Sequence, residues 1–131
     1  MRLLLDTHIW LWLNLDPARL PETVATAFAA PENEIFVSVA SLWELSIKER
    51  LGKLIVPGSF REFVHDALLG IPTLDIARSH VERLHTLPAV HRDPFDRILV
   101  AQAIAEGLVL ATVDPVPAQY PVPVLPEAKT T

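Results

Sequence analysis

The sequence lacks cysteine, long apolar runs and any excess of basic residues. With no cysteine among the 131 residues, disulfides, zinc–thiolate sites and thiol catalysis are all excluded. A membrane-spanning helix needs about 20 consecutive apolar residues, and no run in this sequence approaches that length. The apolar start at residues 2–5 is too short for a signal peptide and ends at Asp6. We therefore expect a cytoplasmic protein that makes no membrane contact.

The net charge of −5 argues against a simple basic nucleic-acid-binding domain. Four of the acidic residues lie near apolar segments, where an unpaired carboxylate is costly: Asp6, Glu44, Asp96 and Asp114. Without these four negative charges the net charge of the chain would be −1 instead of −5, so the four acids account for most of the net negative charge. A nucleic-acid substrate remains compatible with the charge if a bound cation attracts the phosphate.

Length and composition predict one domain with a substantial core, because 50% of the 131 residues are hydrophobic. We expect this domain to span residues 1–126, and residues 127–131 to form a loose tail. Strands alternate with helices, which predicts an α/β fold with three α/β/α layers around a mostly parallel sheet of four or five strands. The expected strands are 3–6, 34–38, 73–76, 108–112 and a short edge strand at 122–125. The expected helices are 7–15, 21–30, 40–51, 59–69, 78–85 and 94–106.

This topology gives the four acids a physical reason to meet. Asp6 and Asp114 each come just after a predicted strand, and sites in parallel sheets form at the carboxyl ends of strands. Glu44 and Asp96 lie near the starts of helices that can approach the same edge. Carboxylates gathered there repel one another unless a cation holds them, and Mg²⁺ and Mn²⁺ prefer oxygen ligands. The sequence therefore predicts a Mg²⁺ or Mn²⁺ site.

Three acids also have a structural explanation as helix caps. Asp6 precedes a predicted helix, and Asp114 precedes Pro115 in the same way. For both of them, capping and metal binding remain open. Asp93 fits the capping role best, because Pro94 follows it as the first helical residue. Its side chain could also reach a metal, so we treat Asp93 as accessory.

The other two acids are harder to explain by helix structure alone. On a helical wheel Asp96 falls on the core-facing arc with Leu99 and Ile104. Its structural alternative is an acid in the first turn that complements the helix dipole. Glu44 lies at the edge of the apolar face of its helix, and its alternative is an ion pair with Lys48 one turn later.

The histidines and tryptophans carry weaker signals. His8 and His91 lie beside suspected acids, but neither has a partner at ligand spacing. Three histidines are expected on helix surfaces: His65, His80 and His85. The tryptophans are more typical of core or subunit contacts than of base stacking: Trp10, Trp12 and Trp43. Because a short helix cannot easily bury both Trp10 and Trp12, we expect a homodimer.

Five basic residues flank the suspected acids and have two interpretations. Lys48, Arg50 and Lys53 follow Glu44 closely, and Arg92 and Arg97 bracket the acids of the next segment. They form either a solvated surface or contacts to nucleic-acid phosphates, which position a backbone without reading its sequence.

Four segments of the chain match a known family in order. They are Leu3–His8, Ser38–Lys48, His91–Arg97 leading into Ala101–Ala103, and Leu110–Asp114. On these segments the chain resembles PIN-domain ribonucleases, and within them the VapC-type toxins of bacterial type II toxin–antitoxin systems. Each segment alone is a weak signal, whereas all four in order are quite specific.

The resemblance implies roles for six residues. It makes Asp6, Glu44, Asp96 and Asp114 the catalytic, metal-binding acids, with Mg²⁺ as cofactor and Mn²⁺ as a substitute. It makes Asp93 an accessory acid, and Thr112 the small polar residue that supports the site. The chain departs from the family after its last acid, where the usual aromatic residue is displaced to Tyr120.

The resemblance also implies a reaction and partners. Metal-activated water would hydrolyse RNA to a 5′-phosphate and a 3′-hydroxyl. A small VapB-like antitoxin would neutralise the activity, in a toxin–antitoxin hetero-oligomer built on a homodimer.

Three alternatives differ in function class. A PIN nuclease without a toxin role keeps all four acids. A phosphatase of the haloacid dehalogenase type also starts with a strand and an Asp, but it needs Asp-x-Asp-x-Thr, and Asp6-Thr7-His8 has no second Asp. A non-catalytic binding domain would not need all four acids.

Overall fold

The computed structural model describes residues 1–127; residues 128–131, most of the expected loose tail, lie outside that range. Within it the chain forms five strands: β1 Arg2–Leu5, β2 Glu34–Ser38, β3 Thr73–Leu74, β4 Val109–Ala111 and β5 Val124–Leu125. The α-helices are α1 Thr7–Leu15, α2 Glu22–Ala29, α3 Val39–Arg50, α4 Phe60–Ala67, α5 Arg78–Thr86 and α6 Pro94–Glu106. Two short 3-10 helices, which the sequence did not predict, span Pro17–Arg19 and Val116–Gln119. None of the helices described is long and apolar enough to cross a membrane.

The strands form one parallel sheet in the order β3-β2-β1-β4-β5. The central strand is β1, whose Leu4 lies opposite Phe36 of β2 and Leu110 of β4. The expected α/β fold with a mostly parallel sheet is confirmed in its five-stranded form. This order places the carboxyl ends of β1 and β4 side by side.

Helices cover both faces of the sheet, because side chains of a strand alternate between its faces. Leu4 packs into a cluster with α6 residues such as Leu99 and Val100. Leu3 and Leu5 point the other way, into a cluster built largely from α1, α2 and α4. Helix α3 contributes to both clusters. The fold therefore has the expected three layers, with α3 and α6 leading away from the carboxyl edge of the sheet.

The element bounds differ from the expected ones for local reasons. Ser59 was expected inside α4, but it is the cap that accepts a hydrogen bond from the Glu62 amide. Strand β3 pairs only its two residues with β2, so it is shorter than 73–76. The edge strand starts at Val124 because Pro123 has no amide hydrogen, although its carbonyl still accepts from Leu110. Helix α6 ends as predicted at Gly107, whose φ of 67° is left-handed.

Two buried ring side chains bear on the expectations from the sequence. His80 was expected on a helix surface, but it is 1% exposed, and its Nε2 lies 2.8 Å from Oε1 of Glu106. Trp10 is fully buried in the chain's own core and donates to the carbonyl of Ala67. The burial of Trp10 agrees with the expected core or subunit contact, whereas the pattern of α5 did not reveal the burial of His80. Of the two rings on which the homodimer was predicted, Trp10 is buried in the core and only Trp12 stays partly exposed.

Candidate functional site

Asp6 lies at the end of the central strand and is held by three hydrogen bonds. Its backbone amide donates to the carbonyl of Ala111 on β4 at 2.9 Å. Its Oδ1 accepts from the Ile9 amide and so caps α1, and its Oδ2 accepts from the hydroxyl of Thr112. Burial raises the pKa of Asp6 against the opposing effect of these hydrogen bonds. The carboxylate is thus fixed in position but energetically strained as an anion.

Glu44 approaches the same edge from α3, which starts where β2 ends. Ser38, the last residue of β2, caps α3 by accepting from the Ala40 amide. The Glu44 side chain is buried, and its Oε2 accepts from Nζ of Lys48 at 2.8 Å. Its Oε1 has no hydrogen-bond partner within residues 1–127. Buried polar atoms are normally satisfied, so this oxygen marks a place where a ligand would be stabilised.

Asp96 occupies the first turn of α6, which Asp93 caps. Oδ1 of Asp93 accepts from the amides of Phe95 and Asp96 at 2.8 and 3.4 Å. The pKa of Asp96 is raised to about 7, first by burial and then by the charge of Asp93, with smaller contributions from Glu44 and Asp6. His91 opposes this shift. Asp93, Glu44 and Asp6 are therefore each close enough to Asp96 to repel its carboxylate.

Asp114 completes the cluster from the segment after β4. Its amide donates to the hydroxyl of Thr112 at 3.1 Å, so Thr112 joins it to Asp6. Its Oδ1 accepts from the Val116 amide at 3.0 Å, but the cap position of the 3-10 helix Val116–Gln119 is Pro115, so Asp114 is one residue before the predicted cap. Its Oδ2 lies 2.9 Å from Nε2 of His91, and the same nitrogen lies 3.0 Å from Oδ2 of Asp96.

The structure thus brings together all four acids that the sequence singled out, at the predicted edge of the sheet. Three of the structural alternatives are also observed: Asp6 and Asp93 cap α1 and α6, and Glu44 pairs with Lys48. The two explanations coexist because a cap uses only part of a carboxylate's capacity to accept.

These residues fit a divalent cation with oxygen ligands. Glu44 has an unpartnered buried oxygen, and the pKa values of Asp6 and Asp96 are raised by burial and mutual repulsion. A cation would relieve both costs. The chemistry of the donor set, which is mainly carboxylate oxygen, suits Mg²⁺ or Mn²⁺.

The five basic residues are not equivalent. Lys48 is engaged with Glu44, and Arg50, Lys53 and Arg92 are exposed. Arg97 differs from the expectation, because its guanidinium donates to the carbonyls of Leu84 and Leu87 at 3.4 and 3.3 Å. These hydrogen bonds connect α6 to the end of α5. They engage the guanidinium that was considered as a phosphate contact.

His91 is the site residue that sequence reasoning passed over. Spacing along the sequence does not reveal its role, because its partner Asp114 is 23 positions away. Its amide donates to the hydroxyl of Tyr120 at 2.8 Å, so the displaced aromatic residue supports this loop. The available signal was its place at the head of the segment His91–Asp96, just before two acids.

Comparison with known proteins gives a family and a fold. The model of the PIN domain family matches residues 3–122. No curated protein sequence matches the chain.

Several solved structures share the fold of this chain over nearly its whole length. They include VapBC2 from Rickettsia felis bound to a DNA fragment from their promoter, at a TM-score of 0.73 and 18% identity over 95% of this chain and 97% of that chain. DNA-bound VapBC from Salmonella typhimurium gives a TM-score of 0.72 and 17% identity over 95% and 96%. FitAcB from Neisseria gonorrhoeae gives a TM-score of 0.62 and 22% identity over 93% of this chain and 95% of that chain. At these identities the likeness establishes the fold.

Proposed function

Since this chain belongs to the PIN domain family, we propose that it is a metal-dependent endoribonuclease of the VapC toxin type. The observation that carries the proposal is the acidic cluster at the carboxyl edge of the sheet, in which Asp6 and Glu44 are buried and Asp96 and Asp114 are partly buried. There Glu44 has an unpartnered oxygen, and the pKa of Asp96 is raised to about 7 by burial and neighbouring carboxylates. Such a cluster is unfavourable by itself and is suited to holding a cation.

Each side chain of the site has a proposed task. Asp6 and Asp96 hold Mg²⁺, while Glu44 and Asp114 complete the acidic site. When bound, Mg²⁺ supplies a water activated as a nucleophile and stabilises charge on the phosphate oxygens. Thr112 keeps Asp6 oriented through its hydrogen bond, and Asp93 keeps the first turn of α6 in place.

The proposed substrate is RNA, cleaved to a 5′-phosphate and a 3′-hydroxyl. The exposed cations Arg50, Lys53 and Arg92 are the proposed contacts to its phosphates. The described residues offer no element shaped for a nucleic-acid groove, so recognition by RNA shape and unpaired loops is the mode that fits.

The proposed partner is a small VapB-like antitoxin. Its support is the fold shared with structures named VapBC and FitAcB. An antitoxin arginine would suit the acidic cluster, because a guanidinium pairs bidentately with carboxylates. We propose that the protein acts in the cytoplasm as a single PIN domain of residues 1–126.

A homodimer remains part of the proposal, on a different surface from the one expected. Trp43 and Ile47 on α3 and Leu51, which follows directly at its C-terminal cap, recur every fourth residue and are 59, 39 and 64% exposed. This spacing puts them on one face of the helix. The Trp43 ring meets Phe95 edge-on at 5.0 Å, so the apolar strip starts next to α6. A second copy of the chain is the proposed occupant of this strip.

The test is brief expression in cells, followed by mapping of newly formed RNA 5′ ends. Wild type is compared with Asp6→Asn, and with Asp66→Asn as a control for the loss of an exposed acid on α4. Cuts bearing 5′-phosphates, absent in Asp6→Asn and retained in Asp66→Asn, support the proposal. Cleavage without toxicity favours a PIN nuclease with another role. Hydrolysis of phosphomonoesters alone favours the phosphatase-like alternative, and neither cleavage nor Mn²⁺ binding favours a non-catalytic domain.

A further inference from the structure

His91 stands between two acids that come from different elements. Its Nε2 lies 3.0 Å from Oδ2 of Asp96 on α6 and 2.9 Å from Oδ2 of Asp114 after β4. Its side chain is only 17% exposed, so water does little to weaken these contacts. The residue therefore joins the two sides of the acidic cluster.

The hydrogen position on the His91 ring follows from its other nitrogen. Nδ1 lies 3.1 Å from the backbone amide of Asp93. A backbone amide can only donate, so Nδ1 accepts and carries no hydrogen. In a neutral imidazole the hydrogen is then on Nε2, which makes Nε2 a donor to both carboxylates.

This tautomer argues against His91 as a metal ligand. One ligand atom from each of His91, Asp96 and Asp114 lies within 4.8 Å of the others, which by distance alone would suit an ion. However, a nitrogen that bears a hydrogen has no lone pair to give. To bind an ion through Nε2, the ring would have to move its hydrogen to Nδ1, against the Asp93 amide.

The backbone of His91 is also fixed. Its amide donates to the hydroxyl of Tyr120 at 2.8 Å, and Tyr120 is 3% exposed. The ring is thus held at three points: by Tyr120 through the backbone, by the Asp93 amide at Nδ1, and by the two acids at Nε2. A ring held in this way can in turn hold the carboxylates that it contacts, as hydrogen-bond partners of metal ligands do.

We propose that His91 is a positioning residue whose Nε2–H holds the Oδ2 atoms of Asp96 and Asp114. Asp114 then accepts from His91 at one oxygen and from the Val116 amide at the other. His91 contacts Oδ2 of Asp96, so Oδ1 of Asp96 and the unpartnered Oε1 of Glu44 remain as acceptors for a cation. The inference rests on the proposed metal site and deepens it: Asp6, Glu44 and Asp96 face the cation, and Asp114 acts on it through His91.

Two matched variants separate donation to the acids from support of the loop. In His91→Gln the side-chain amide nitrogen can reach the place of Nε2 and donate to both carboxylates. In His91→Asn the shorter side chain can accept from the Asp93 amide but cannot reach the acids. We expect His91→Asn to weaken Mn²⁺ binding, measured by calorimetry, by about 10- to 100-fold, as for other residues that orient ligands. His91→Gln should restore most of this loss, and both variants should unfold cooperatively in chelator.

The tautomer of the His91 ring is measured by ¹⁵N NMR of the wild type at about pH 8, where an ordinary histidine is neutral. The expected signal is the Nε2–H tautomer, without and with a diamagnetic Mg²⁺ load. An Nδ1–H tautomer, or equal Mn²⁺ affinity of His91→Asn and wild type, would overturn the inference, and so would equal losses in the two variants. If the wild type binds no Mn²⁺, the proposed metal function fails, and the tautomer measurement still decides the placement of His91.

Discussion

The hydroxyl of Thr112 donates a hydrogen bond to Oδ2 of Asp6 between the neighbouring strands β1 and β4. The hydroxyl oxygen of Thr112 also accepts a hydrogen bond from the Asp114 amide at 3.1 Å. One small side chain thus holds an acid from each end of the sequence and lowers the pKa of Asp6, against the effect of burial.

Replacing Thr112 by Val should weaken Mn²⁺ binding by about tenfold, because a hydrogen bond to a charged group contributes about 1.5–3 kcal/mol. Without this donor, Asp6 takes up a proton more readily and competes with the metal. Thr112→Ser keeps the hydroxyl and should bind nearly as the wild type does. Calorimetry at neutral pH measures both variants, and equal losses in the two would show that the methyl group, not the hydroxyl, matters.

Asp96 should make the metal-free protein less stable as pH rises. Its pKa is raised from 3.8 to about 7, so between these values the folded protein holds a proton that the unfolded chain has released. Stability therefore falls from about pH 4 to about pH 7 and stays lowered above it.

Asp96→Asn removes this loss, so in chelator its Tm at about pH 8 should exceed that of the wild type by about 3 °C or more. The two Tm values should converge near about pH 4, where both side chains are neutral. The variant should also lose RNA cleavage. Asp66→Asn, on the exposed surface of α4, is the control and should show no such convergence. Equal Tm values at high pH would mean that Asp96 is not strained.

Asp93 should matter as a cap more than as a charge. Asp93→Asn keeps an oxygen for the Phe95 amide, so it should retain the fold and substantial cleavage. Asp93→Ala loses the cap and should lower the free energy of unfolding by about 1 kcal/mol, measured by urea unfolding. If Asp93→Asn were as inactive as Asp96→Asn, Asp93 would belong among the metal-binding acids.

Lys48 should stabilise the protein chiefly in the absence of metal. Lys48→Ala leaves the buried Glu44 carboxylate without its counter-charge, which should cost about 1–3 kcal/mol in chelator. With Mn²⁺ the difference from wild type should shrink, because the cation replaces that charge. Arg50→Ala, an exposed neighbour on α3, is the matched control. A loss that is the same with and without Mn²⁺ would separate Lys48 from the metal site.

The apolar strip of α3 should form the homodimer contact. Sedimentation at micromolar concentration should give a dimer for the wild type and a monomer for Leu51→Arg, because a buried unpaired charge is costly. Ile55 is 89% exposed and lies outside the strip, so Ile55→Arg should remain dimeric. A monomeric wild type, or a dimeric Leu51→Arg, would remove this surface from the proposal.

Residues that carry local signals were predicted well. Asp6 follows an apolar strand, and α6 runs from Pro94 to just before Gly107, because proline and glycine act on their own backbone. The meeting of Asp6 with Asp114 also followed, since parallel topology constrains strand ends. By contrast, His91 and His80 depend on partners 23 and 26 positions away. No periodicity within one element reports such contacts.

The central place of β1 has a consequence for translation. Asp6 and Thr112 are 106 positions apart, and β1 pairs with β4 at Leu3 and Val109. At about 5–20 residues per second, a ribosome needs about 5 to 20 seconds to pass from one to the other. During that interval the nascent chain has no assembled acidic pocket. Premature termination before β4 therefore yields polypeptides that lack Thr112 and Asp114 and cannot assemble the acidic cluster.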